Sequence, residues 1–259
     1  MQNNTFSTLF VGQNLIKLSA VDSTNNFLKS LLSKSEPLPE GTVIMADDQF
    51  AGRGQQGNVW HAESGKNLTI SILLKPSFLP LSKQFLLNMA VSVGVNKVLF
   101  KYLGNDVKIK WPNDIYYKDK KIGGILIENT IVGLTIKSSI IGIGLNVNQQ
   151  HFPTQLTDLA TSLSRILQEN VNLELILAEI CSHIEVAYLH LRAGKDSIIK
   201  DEYIKNLFKI DIQSRYRQNG EVFEGMITGV TEQGLLNVMI AGRLVQFNFK
   251  EIEFIHNTP

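Results

Sequence analysis

Two short stretches concentrate the residue types that could do chemistry. Gln49 to Trp60 reads Gln-Phe-Ala-Gly-Arg-Gly-Gln-Gln-Gly-Asn-Val-Trp, with glycines at 52, 54 and 57 and a single cation, Arg53. Lys110-Trp111-Pro112-Asn113-Asp114 puts a second cation and a pair of polar side chains at the end of a strand-like run. A glycine-rich loop can fold over a polyanion and offer backbone N–H groups at close range. An arginine and a lysine converging on one site suit reactions in which charge develops on a phosphate or a carboxylate.

Other chemistries find less support. Gly52-x-Gly54-x-x-Gly57 matches the dinucleotide fingerprint, but Asn58 to Gly65 carries polar and turn residues where a helix should open. The kinase tripeptides His-Arg-Asp and Asp-Phe-Gly are absent, as is a Gly-x-x-x-x-Gly-Lys-Ser/Thr loop. No Ser-His-Asp or Cys-His arrangement stands out. Cys181 is the one cysteine and the five histidines are scattered, so neither a disulfide nor a protein-built metal cage is expected. Cys181 and His183 fall within a helical stripe and read as structural.

These loops need a scaffold. Hydrophobic residues make up 44% of the 259 and charged residues 19%, enough for a packed core. The net charge of +1 argues against broad nucleic-acid binding. There is neither a signal-like N-terminus nor an apolar run long enough to span a membrane, so a soluble cytoplasmic protein is expected. Asp22-Ser23-Thr24-Asn25 precedes a helical spacing through Phe27, Leu28, Leu31 and Leu32, with Asp22 or Ser23 available as N-cap. Its hydroxyls could cap, face a ligand, or do both. Gly41–Ala46 and Asn67–Leu74 read as strands, and Ser82 to about Tyr102 as a long buried helix.

Val107–Trp111 reads as a further strand and Tyr116–Lys121 as an exposed hairpin turn. Ile122–Glu128 and Ser138–Asn148 read as strands carrying glycine pairs, which either leave a sheet face open to a flat ligand or relieve crowding against a helix. Leu173 to Leu191 forms a helical stripe with Gly194 as its C-terminal stop, and a short helix is expected over Ser197–Phe208. From Lys209 the pattern changes to short β runs at Ile210–Ser214, Val222–Val230, Leu235–Ile240 and Leu244–Phe249, the pattern of a small barrel. The expected boundary divides residues 1–208 from residues 209–259.

The ordered motifs resemble the biotin protein ligases, the biotin–[acetyl-CoA-carboxylase] ligases, over nearly the whole chain. The match runs through Ser23-Thr24-Asn25, the Gly52-Arg53-Gly54 loop with Trp60, Gly65-x-Asn67-Leu68 and Lys110-Trp111-Pro112-Asn113-Asp114. It continues through Lys121-x-x-Gly124-Ile125-Leu126-x-Glu128 and Gly142-Ile143-Gly144-x-Asn146-x-Asn148. The resemblance implies an α+β fold: a mixed-sheet catalytic domain with helices on one side, and a small SH3-like barrel after it. It implies a two-step reaction in which biotin and Mg-ATP give biotinyl-5'-AMP, and a lysine of a biotin carboxyl carrier protein then takes the biotin.

By the same match, Ser23, Thr24, Asn25, Gln49, Gly52, Gly54, Gln55 and Gly124 would meet biotin. Arg53 and Lys110 would carry the catalytic charge and touch both biotin and nucleotide. Trp60 and Asn146 would lie against the adenylate. Mg²⁺ would be held mainly by phosphates. The family often has arginine where Gln55 stands, so weaker retention of the adenylate is implied. Its repressor members carry an N-terminal helix-turn-helix domain, for which the few residues before Ser23 leave no room, so DNA binding is not expected. A sheet edge open to a second copy makes a homodimer conceivable. The rivals are a lipoate–protein ligase, a non-catalytic biotin or nucleotide sensor, and an SH3-like interaction module on an inactive ligase body.

Overall fold

The computed structural model describes residues 6–34 and 37–255. Strand β1 (Leu15–Val21) leads into helix α1 (Thr24–Leu32) and then strand β2 (Val43–Gln49). Strand β3 (Leu68–Leu74) is buried at every position, as a central strand of its Val/Ile/Leu-rich type should be. Helix α2 (Phe85–Leu103) follows, then β4 (Val107–Lys110), β5 (Asp114–Tyr117), β6 (Lys120–Val132) and β7 (Thr135–Leu145). These strands form one sheet in the order β1-β2-β3-β7-β6-β5-β4. β1 and β2 run parallel, and every other pairing is antiparallel.

Helices α3 (Leu163–Leu167), α4 (Leu173–Arg192) and α5 (Asp196–Lys205) complete this body. Alternation along the strands divides the core. Val43, Ile70, Ile72, Leu74, Ile141 and Ile143 join the cluster made with α2, α4 and α5. Ile44, Leu73 and Ile140 point the other way and meet Leu28 of α1. The long helices therefore cover one face, and the short α1 lies on the opposite face, beside the ligand-facing end of the sheet. Helix α4 stops at Gly194, whose φ of 70° lets the Lys195 N–H reach back to His190 O. Cys181 is fully buried in α4, where burial pushes its thiol up to about 12.

Strands β8 (Gln213–Gln218), β9 (Glu221–Val230), β10 (Leu236–Ile240), β11 (Arg243–Phe247) and β12 (Glu253–Phe254) form a second, antiparallel sheet. Its order is β11-β10-β9-β8-β12. The expected barrel is thus an open ladder, because β12 pairs through two residues with β8 and β11 makes the other edge. The first expected strand, Ile210–Ser214, starts too early: Lys209 and Asp211 take positive φ, and pairing begins at Gln213. The expected exposed turn at Tyr116–Lys121 is shorter too. Tyr116 is buried on β5 against Phe208, which leaves Lys118 and Asp119 as the turn. No helix among the described residues is long and apolar enough to cross a membrane.

Candidate functional site

The end of β2 and the start of α1 build a polar floor. Ser23 occupies the N-cap position with extended backbone (φ −154°, ψ 131°), yet its hydroxyl makes no capping bond. Gln49 takes over that work: its Oε1 accepts from the Thr24 N–H at 2.9 Å and from Thr24 Oγ1 at 3.2 Å. Ser71, in the middle of β3, places its hydroxyl 2.8 Å from Thr24 Oγ1 and within hydrogen-bond reach of Asn25 Oδ1. Ser23, Thr24 and Asn25 are all buried residues, and hydrogen bonds fix the side chains of Thr24 and Asn25 while Ser23 borders the cavity. The Ser23 hydroxyl is thereby left for a ligand.

The glycine loop folds back on itself above this floor. The Gly54 N–H donates to Asn58 O at 2.7 Å and the Trp60 N–H to Gly52 O at 3.0 Å. A single 3-10 turn over Gln55–Gly57 makes the bend, and Gly57 carries it at φ 87°. Arg53 pairs with Glu128 of β6, tying the loop to the sheet. Phe50 stays exposed on the outer side of the loop, and Val59, also exposed, borders the cavity.

The strand glycines Gly124, Gly142 and Gly144 line the cavity, and two of them also make room for the protein's own side chains. A Cβ on Gly142 would lie 2.6 Å from Asn25 Oδ1, and one on Gly144 would lie 2.4 Å from the Trp60 indole. These glycines let Asn25 and Trp60 press flat on β7. The indole Nε1 of Trp60 is buried without a hydrogen-bond partner among the described residues, so a donor is still to be satisfied there.

The Lys-Trp-Pro-Asn-Asp segment divides at its cis Trp111–Pro112 peptide. Asn113 and Asp114 face the cavity, while Trp111 faces the second sheet and donates from Nε1 to Gly234 O at 2.9 Å. Lys110 does not line the cavity. Its ammonium sits over the rings of Tyr116 and Phe254, at 4.6 and 5.1 Å, and donates to Tyr116 Oη at 3.0 Å. Burial pushes it down to about 8, helped by the charges of Lys121 and Lys209 and opposed by Asp114. Lys121 of β6 lines the cavity instead, 2.7 Å from Asp114 Oδ1 and over the Trp60 ring.

A stability prediction follows from the burial of Lys110. Between pH 8 and 10.5 the unfolded chain holds this proton and the folded chain does not, so the group makes folding stronger as pH rises through that window. Lys110→Met is therefore expected to be more stable than the wild type at pH 7, by about 2 kcal/mol. The advantage should shrink toward pH 10.5 in urea titrations. A constant difference across that range would contradict the placement of Lys110.

The resulting cavity holds about 220 Å³, the scale of a small organic molecule. Of the residues expected from the sequence, Ser23, Thr24, Asn25, Gln49, Arg53, Gly54, Gln55, Trp60 and Gly124 line it together. Gly52 lines a shallower depression on the outer side of the loop. Asn146 is buried behind β6 and donates to Thr161 O at 3.0 Å; its Oδ1 has no partner among the described residues. Lys121 and Asp114 line the cavity and Glu128 lies just outside it against Arg53; none was expected as a site residue, although all three stand in quoted motifs. Phe249 and Lys250, on the loop after β11, were also missed and close one side of the cavity. Among the described residues no cluster of three His, Cys, Asp or Glu side chains could hold a metal.

Residues 18–146 match the Biotin/lipoate A/B protein ligase family. The bifunctional ligase/repressor BirA of Bacillus spizizenii is 35% identical over 231 residues, spanning 88% of this chain and 70% of that protein. The biotin–[acetyl-CoA-carboxylase] ligase of Mycobacterium tuberculosis is 26% identical over 212 residues, spanning 80% of this chain and 76% of that protein. A solved biotin protein ligase from Aquifex aeolicus in complex with biotin and ATP superposes with a TM-score of 0.79. It is 25% identical over 95% of this chain and 100% of its own.

Proposed function

The chain belongs to the biotin/lipoate A/B protein ligase family, and on that footing we propose how its cavity works as a biotin protein ligase. The enzyme activates biotin with Mg-ATP to biotinyl-5'-AMP and passes the biotin to a lysine of a protein. The observation that carries this reading is the polarity gradient of one cavity. One end is the floor of buried Ser23 and Thr24 with half-buried Gln49, and the other, more exposed end holds Arg53 and Lys121. A ureido ring brings two N–H donors and one carbonyl acceptor, which such a floor can pair. The dithiolane ring of lipoate would leave the same buried groups unpaired.

With the head held there, the biotin carboxylate reaches the cationic end. A carboxylate oxygen attacks the α-phosphorus and pyrophosphate leaves. Arg53 and Lys121 lower the repulsion between the two anions and stabilise the charge that builds at phosphorus. Lys110 stands behind Asp114 and supports the field without touching the ligand. Asp114 keeps the Lys121 ammonium in place. Mg²⁺ enters as part of the ATP substrate, held mainly by phosphate oxygens. In the second step a neutral lysine amine attacks the acyl carbon of the mixed anhydride, an amide forms and AMP departs.

The acceptor is the lysine of a biotin carboxyl carrier protein, and the reaction takes place in the cytoplasm, where ATP is supplied. Residues 1–208 act as the catalytic domain and residues 209–259 as the C-terminal SH3-like unit, whose Phe249 and Lys250 shut the side of the cavity. Incubation with biotin, ATP and an apo carrier protein should add one biotin to its acceptor lysine. A carrier left unmodified while an acyl-lipoyl carrier is labelled would overturn the reading.

Gln55 lines the cavity as a neutral side chain. Gln55→Arg is expected to slow escape of biotinyl-AMP from the enzyme several-fold, since an added cation next to the phosphate strengthens retention. Adenylate release followed with radiolabelled biotin after rapid gel filtration reads this directly. Equal release rates would remove Gln55 from the account.

A further inference from the structure

Glu128 lies outside the cavity lining, yet its carboxylate joins two parts of the site, the glycine loop and the polar floor. One oxygen, Oε2, accepts both from Arg53 Nη2 and from Asn25 Nδ2, the latter at 2.7 Å. Asn25 continues through Ser71 to Thr24 and Gln49, so one hydrogen-bonded chain runs from the loop cation to the polar floor. Burial alone would raise the pKa of Glu128, but the bonds from Arg53 and Asn25 outweigh it and hold the carboxyl below its usual range. It is therefore charged at neutral pH.

Arg53 needs such an anchor. It sits on a loop of glycines and amides with 39% of its side chain exposed, and four side-chain torsions would otherwise be free. A guanidinium has five N–H donors in a fixed fork, so a bond at one nitrogen leaves others aimed at the cavity.

We propose that Glu128 is a positioning residue that holds Arg53 over the mouth of the cavity in the orientation needed to receive the phosphate. It touches neither biotin nor nucleotide, and acts through the guanidinium. This proposal rests on the function argued above.

The test is a double-mutant cycle read by ATP–pyrophosphate exchange. Glu128→Gln keeps an oxygen for Asn25 but removes the charge that fixes Arg53. It should raise the KM for ATP and lower kcat/KM for ATP about tenfold, with biotin binding unchanged within about twofold. Glu128→Asp should recover part of the loss. In an Arg53→Ala background, Glu128→Gln should change exchange by less than about twofold, because the residue it serves is gone. Losses that add in the double variant, or a biotin affinity that falls as far as that for ATP, would overturn the proposal. An exchange rate equal to wild type would do the same. A second readout does not depend on turnover. Trypsin should cut after Arg53 faster in Glu128→Gln than in the wild type, and equal rates would overturn the anchoring even if no exchange were seen. Absence of exchange in the wild type itself would instead count against the function.

Discussion

Lys121→Met is expected to lower biotin-dependent ATP–pyrophosphate exchange by about 10²–10³-fold, the loss typical when one preorganised charge donor is removed from a developing anion. The side chain projects from β6 into the cavity and is held 2.7 Å from Asp114, so its ammonium is placed before the substrate arrives. Methionine keeps the length and the apolar stem, and Lys121 is partly exposed, so the fold should persist. Biotin binding should weaken only a few-fold, because the head lies at the other end. Lys110→Met makes the informative contrast. That lysine is enclosed by Tyr116 and Phe254 outside the cavity, and its replacement should leave exchange within about tenfold of wild type. The reverse order of losses would return the catalytic charge to Lys110.

Gly142→Ala should weaken biotin binding by about 10–100-fold and cost about 2 kcal/mol of stability. Gly142 sits inside the sheet, paired with Ser71 on one side and Leu126 on the other. Its missing Cβ is the space filled by the Asn25 amide, at 2.6 Å. Asn25 cannot turn aside cheaply, since Ser71 and Glu128 hold its two ends. The added methyl therefore breaks the network that orders Thr24 and Gln49. Isothermal titration and urea unfolding would read the two effects. Adding Asn25→Ala to the same chain should restore much of the stability while leaving biotin affinity low. Stability that does not recover would locate the damage in β7 itself.

Much of the scaffold was legible because its elements are long and periodic. The β-rich, largely aliphatic run of β3 and the stripe of α4 announce themselves in any window of that length. The motifs were legible as well, and most of their residues converge on one cavity. What failed did so for tertiary reasons. Tyr116 stands among lysines and an aspartate and reads as a turn, but the C-terminal part covers it with Phe208. Strand β8 carries Arg215 and Arg217, so its polarity hid it behind the more apolar Ile210–Ser214.

The choice between two lysines was the hardest to read from the sequence. Both stand in family motifs, and local spacing says nothing about which one faces the ligand. The β4–β5–β6 meander turns Lys110 toward Phe254 and Lys121 toward Trp60. The Arg53–Glu128 pair was invisible for a related reason, because it joins a loop to a strand far along the chain.

The most direct test of the account is ATP–pyrophosphate exchange by the wild-type protein with biotin, with lipoate, and with no acid. Exchange that requires biotin, with little or none from lipoate, is the predicted result, because a ureido head pairs with the polar floor of Ser23, Thr24 and Gln49 and a dithiolane does not. Exchange driven by lipoate, or none with either acid while biotin still binds, would contradict it.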